Sequence, residues 1–131
     1  SESDARPLFE HKEIGEVSVA WNETFKTWIM LYNSGQPRGI VMRTSATPWG
    51  PWTDSQVLYN PQDGYGKYMH VSWRDGKRDA VHDPHRQNEF GGEYAPYMIP
   101  RFSRPDGTIY FVMSTWNPYN VVLMKARLRR A

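Results

Sequence analysis

With 131 residues, 39% of them hydrophobic and 23% charged, the chain is long enough for one domain with a real core and too apolar for a disordered tail. A net charge of +2 is too small to argue for nucleic acid, and none is expected as a partner. No run of about 18 apolar residues marks a membrane span, and the absence of cysteine excludes thiol chemistry and cysteine-based zinc sites.

Residues 1–14 are polar, show no clear periodicity and read as a tail or an incoming connection, with no signal-peptide pattern in them. A strand meander follows. Val17, Val19 and Trp21 alternate with Glu16, Ser18 and Ala20, a period of two. Continuous apolar runs at residues 28–32 and 40–42 suit strands covered on both faces. The expected strands are residues 16–21, 27–33 and 39–44, with turns at 22–26 and 35–39. A proline-rich turn carries Trp49 and Trp52, both read as packing against an outer strand at residues 56–59. Residues 68–73 are a weaker strand candidate. The polar stretch 74–91 has few apolar anchors and is expected to be the most mobile segment. Three more strands are expected at residues 94–102, 108–114 and 120–127, and the basic cluster after Lys125 reads as a solvated chain end.

The two halves echo each other. Gly15-Glu16 matches Gly92-Glu93, Thr27 matches Thr108, Pro37 matches Pro118, and Ile40-Val41-Met42 matches Val121-Val122-Leu123. Repeated meanders at this spacing point to an all-β fold made of β-propeller blades. One unit covers residues 15–60 and the other 92–128, within a single partial propeller domain, 1–131. The second unit stops after three strands where a blade has four. The chain is therefore expected to work with missing N-terminal blades or with copies of itself.

The segments GEVSVAWN, TWIMLYNS, IVMRTSATPWGPW, GYGKYMH, EYAPYMIPRF and STWNPYNVVLMKARL resemble, in this order, the C-terminal half of a secreted bacterial and fungal family. That family was long labelled only as a domain of unknown function. The resemblance implies a five-bladed β-propeller like that of furanosidases, and the family includes endo-D-arabinanases that cut mycobacterial arabinan. It implies secretion and glycosidase ancestry. The earlier blades, where the family's catalytic carboxylate pair is expected, are absent from this chain.

Glycoside hydrolysis normally uses two carboxylates, one protonating the leaving oxygen and the other attacking or activating water. Glu16 and Glu93 begin the two first strands, which line the channel of a propeller, and are the candidate catalytic pair; the plainer reading is an arginine partner or a strand cap for each. Tyr94, Tyr97, Trp116 and Tyr119 are the candidate sugar-contacting aromatics, since ring faces suit sugar C–H groups. Their alternative is packing between blades. Asn117-Pro118 makes the segment around Trp116 and Tyr119 a turn, and Asn117 is a candidate for a sugar hydroxyl. His70 is a further candidate at the channel. His82 and His85 lack the additional ligands a metal needs, so no metal and no cofactor is expected. Glu89 and Asp54 read as solvated loop residues. Asn22-Glu23-Thr24 matches the N-glycosylation acceptor pattern.

These readings lead to a glycoside-hydrolase-like propeller segment for furanose-containing polysaccharide of the arabinan type, incomplete for catalysis by itself. The alternatives are a carbohydrate-binding protein without catalysis and a secreted structural or antigenic protein.

Overall fold

The structure is a computed structural model that describes residues 1–61, 92–116 and 119–129, with Trp116 described by its backbone alone. The strand expected at 68–73, the loop expected at 74–91, and His70, His82, His85, Glu89 and Asn117 lie outside the described residues.

Among the described residues, seven strands form two antiparallel meanders. The first sheet has the order β1 (Ile14–Asn22), β2 (Thr27–Gly35), β3 (Arg38–Ser45) and β4 (Gln56–Tyr59). The second has the order β5 (Gly92–Met98), β6 (Thr108–Trp116) and β7 (Val121–Arg127). Among the described residues there is no α-helix. The fold is all-β and built of propeller-like blades. Local chemistry closes the turns: Asn22 Oδ1 accepts from the Phe25 N–H, and Asp106 Oδ1 accepts from the Thr108 N–H. Asn22 is buried by this role, so its side chain is not presented as a glycan acceptor.

Three expectations need correction. The strand expected to run to Phe102 ends at Met98, because Pro100 begins a short 3-10 turn. Trp116 does not lie in a turn; it ends β6, its backbone opposite Gly92. Trp49 is 71% exposed, whereas Trp52 packs on the cluster of Met30, Tyr32 and Val41.

The repeat is realised in register. Leu31 faces Met42 and Asn33 faces Ile40 in the first sheet; Val112 faces Leu123 and Ser114 faces Val121 in the second. The match of Ile40-Val41-Met42 to Val121-Val122-Leu123 is thus exact in the ladders. The match of Glu16 to Glu93 is not. Ile14 lies opposite Ser34 and Glu93 opposite Thr115, so Glu93 holds the place of Ile14. Each first strand carries a β-bulge, between Ile14 and Val17 and between Tyr94 and Tyr97; both add one residue, so the copies keep one offset, Ile14 to Glu93 and Val19 to Met98, which differs from the one the Gly-Glu pairs suggest.

The two sheets meet through different faces. The first contributes its right face, with Ile29 and Leu31 of β2 and Ile40 and Met42 of β3. The second contributes Met98, Ile109, Phe111 and Met113, its left face. Phe111 holds the position of Met30, which lies on the opposite face of the first sheet from Leu31. A right face therefore packs on a left face, as between successive propeller blades. Across the seam the Met98 N–H donates to Ser18 Oγ at 3.1 Å.

Residues 8–13 lie along the left face of the first sheet. Phe9 packs on Tyr32, ring centroids 5.7 Å apart, and the Gly35 N–H donates to the Glu13 carbonyl at 3.0 Å. The expected tail is thus a strap on the sheet.

Met98→Ala should destabilise the fold by about 2–5 kcal/mol, the cost of a large-to-small change in a closed core. Lys125→Ala, on an exposed position of β7, should stay within about 0.5 kcal/mol. Urea unfolding of both variants checks the pair.

Candidate functional site

The N-terminal ends of β1 and β5, the β2–β3 turn, the end of β4 and the β6–β7 connection all lie at one end of the two sheets. Glu93 stands there in the seam. Its side chain is 4% exposed, and Arg38 at the start of β3 reaches it, Nη2 to Oε2 at 3.5 Å. The ion pair joins the two sheets. A buried carboxylate without such a partner would be strongly disfavoured.

Tyr59, at the end of β4, completes this group. Burial pushes its phenol up to about 12; the Glu93 carboxylate pushes the same way, and the Arg38 guanidinium opposes both. Gly39 permits the approach of the two strands. Its φ is +135°, and a Cβ there would lie 2.0 Å from the Tyr59 carbonyl oxygen. Asn33 lies on the same face of the first sheet as Leu31, and its Oδ1 is buried without a hydrogen-bond partner. The Asn33 amide packs directly over Gly15, where a Cβ would force it to move.

Glu16 sits in the β1 bulge, exposed, with Oε2 accepting from the Ala95 N–H at 3.4 Å. Ala95 lies in the β5 bulge, two residues past Glu93. The two candidate carboxylates are thus brought to the same end on neighbouring first strands, one buried and ion-paired, the other exposed.

The aromatics divide. Tyr94 and Tyr119 meet edge to face with centroids 6.4 Å apart, and Tyr119 is 60% exposed. Tyr97 also lies on the right face of the second sheet, opposite Val112, further along the strand from that end. Trp116 ends β6 beside Gly92, and its side chain lies outside what is described.

Sequence reasoning missed Arg38, Tyr59 and a second polar group on the strap side. His11 Nδ1 lies 3.0 Å from Arg43 Nη2 and 3.0 Å from the Tyr32 hydroxyl. Arginine only donates, so Nδ1 accepts and Nε2 carries the proton, which goes to the Gln36 carbonyl at 2.7 Å. Arg43 is buried; it also donates from Nε to the Tyr32 hydroxyl at 2.9 Å and stands 4.6 Å over the Phe9 ring. His11 thereby ties the strap to the turn that carries Arg38. The signal was an arginine directly after the apolar run 40–42, inside a strand.

A groove of about 470 Å³ opens at the opposite end, lined by Thr27, Thr44, Thr53, Gln56 and Arg129 among others. Among the described residues its lining holds no carboxylate. Among the described residues no cluster of His, Asp and Glu is able to hold a metal ion.

The raised Tyr59 value means that the fold favours the neutral phenol. Its contribution is complete below pH about 10 and is lost as pH rises through about 12. Tyr59→Phe should remove a tyrosinate absorbance step near that upper value. Glu93→Gln should move the step downward, since one cause of the rise is removed.

The family model of a domain of unknown function, DUF4185, matches residues 1–125, and the chain belongs to that family. No curated protein matches it.

Proposed function

We propose that this family member is a glycoside-hydrolase-like propeller segment of a secreted protein, and that it engages furanose-containing polysaccharide of the arabinan type at the end carrying Glu93. The supporting observation is that this end carries a buried, ion-paired carboxylate in the seam and, on the opposite face of β5, the half-buried Tyr94 against the exposed Tyr119. Tyr94 and Tyr119 offer ring edges and faces to sugar C–H groups and hydroxyls to sugar oxygens. Glu16 is the solvent-facing carboxylate at the same end. Trp116, Asn117 and His70 stay candidates on the sequence reading alone.

The two carboxylates suit hydrolysis only if they stand about 5–9.5 Å apart across one glycosidic bond. Further blades would complete the channel and hold the sugar rigidly against them. Binding without hydrolysis is the second reading. It is favoured by the pairing already made by each carboxylate, Glu93 with Arg38 and Glu16 with the Ala95 N–H.

Tyr119→Ala should lower affinity for arabinan at least about 10-fold, as expected when an aromatic contact is removed, with an unchanged thermal midpoint. Isothermal titration with arabinan oligosaccharides checks this. Equal affinity in the variant would defeat the site assignment. Release of reducing ends by the wild type, abolished in Glu93→Gln, would select the catalytic reading. Binding without such release would select the second.

A further inference from the structure

The face of the first sheet that enters the seam changes character along its strands. Leu31, Ile29 and Thr27 follow one another along β2, and Ile40, Met42 and Thr44 along β3, with Ile29 opposite Thr44. Each apolar row thus ends on a threonine at the end remote from Glu93. Thr53 joins the edge of β3 there, ahead of β4. Its N–H donates to the Thr44 carbonyl at 2.9 Å, and its Oγ1 accepts from the Thr44 N–H at 3.0 Å.

The second sheet supplies the other wall. The Leu128 N–H donates to the Gly107 carbonyl at 3.0 Å, so the chain leaving β7 is held against the β5–β6 turn. Gly107 has φ +87°, and a Cβ there would lie 2.6 Å from the Leu128 carbonyl oxygen and 3.0 Å from Phe25 Cζ. Only glycine lets these three segments meet so closely. Thr24 Oγ1 donates to the Arg104 carbonyl at 3.2 Å and fastens the β1–β2 turn beside them. Leu128 and Arg129 are thereby set against the groove that β2 and β3 leave open.

The groove is about 470 Å³, the size of a small-molecule site. Ile29 and Met42 on its apolar side are 1% and 7% exposed, and Phe25 adds a ring. Its polar groups are the Arg129 guanidinium, the Gln56 amide, and the hydroxyls of Thr44 and Thr53, which lie 3.5 Å apart. Among the described residues no carboxylate pairs with Arg129. Asp106, on the β5–β6 turn, is engaged elsewhere. The Thr108 hydroxyl and N–H hold its carboxyl below the usual carboxylate range, with Arg127 and Arg104 adding to the effect.

We propose that this groove binds a small organic carboxylate with a ring-sized apolar body. The planar guanidinium of Arg129 matches a carboxylate through two parallel hydrogen bonds, and one cation matches one negative charge. The apolar body lies on Ile29, Met42 and Phe25, while the Gln56 amide and the threonine hydroxyls donate to the remaining lone pairs of the carboxylate. A phosphate with two charges would meet a single cation. A neutral sugar would find no carboxylate to accept from its hydroxyls. The site is separate from the end that carries Glu93, and its occupancy does not depend on polysaccharide binding there.

The experiment is a nuclear magnetic resonance titration of the full chain with phenylacetate, and with phenylacetamide as the uncharged analogue. Phenylacetate should saturably shift the backbone amide signals of Thr44, Thr53, Gln56 and Arg129 and leave those of Glu16 and Glu93 in place. Phenylacetamide should bind at least about 10-fold more weakly, and Arg129→Gln should weaken phenylacetate binding by a similar factor. Arg129→Lys should fall between, because it keeps the charge and loses the paired geometry. Arg129 is exposed, so both variants should keep the fold, which unchanged Met98 and Phe111 signals would confirm. Should either variant disturb the sheets, the comparison of the two probes on the wild type decides alone. The absence of saturable shifts at tens of millimolar phenylacetate overturns the proposal. So does equal binding of phenylacetamide, or undiminished binding by a folded Arg129→Gln. Shifts confined to the Glu93 end overturn it as well, since they place the carboxylate at the other site.

Discussion

The seam where Ile29, Leu31, Ile40 and Met42 meet Met98, Ile109, Phe111 and Met113 organises the whole molecule. Neither meander covers its own apolar face, and a lone sheet with two apolar faces would not persist in water. Pairing alternate faces solves the problem for one surface of each sheet and leaves the other surface unsolved. A two-sheet sandwich that joined like faces would end the sequence there. Joining unlike faces does not, and this is why the outer surfaces remain rich in Val17, Val19, Val121 and Leu123.

The same seam creates the polar end. Strand β5 brings Glu93 into apolar surroundings, and the ion pair with Arg38 offsets the cost of burying it. Arg38 comes from the β2–β3 turn, and His11 holds that turn through the Gln36 carbonyl. The strap, the turn and the carboxylate thus form one connected arrangement. Tyr59 responds to it through the raised value of its phenol.

The strands were legible because each carries local signals: alternation in β1, apolar runs in β2 and β3, and Asp106-Gly107 at a tight turn. The repeat was legible because it preserves residue type in β3 and β7. Its first strands were misaligned because the Gly-Glu pair recurs out of step with the ladders, in which Glu93 stands at the place of Ile14. Glu93 was found as a carboxylate at a strand start, but its partner Arg38 was not, since an ion pair across the seam leaves no local pattern. Phe9 and His11 were unreadable for the same reason: isolated residues in a polar segment acquire meaning only against Tyr32 and Arg43. Trp49 and Trp52 share one motif and differ only in which side of the turn meets the sheet.

The most direct measurement of the seam is methyl and aromatic nuclear Overhauser contacts in solution. Met98 and Phe111 should show contacts to Ile29, Leu31 and Ile40, while Val112 and Leu123 show none to residues of the first sheet within the same chain. Isotope-mixed samples separate contacts within one chain from those between copies. Intrachain contacts from Val112 or Leu123 to Leu31 would mean that like faces are joined, and would contradict the account.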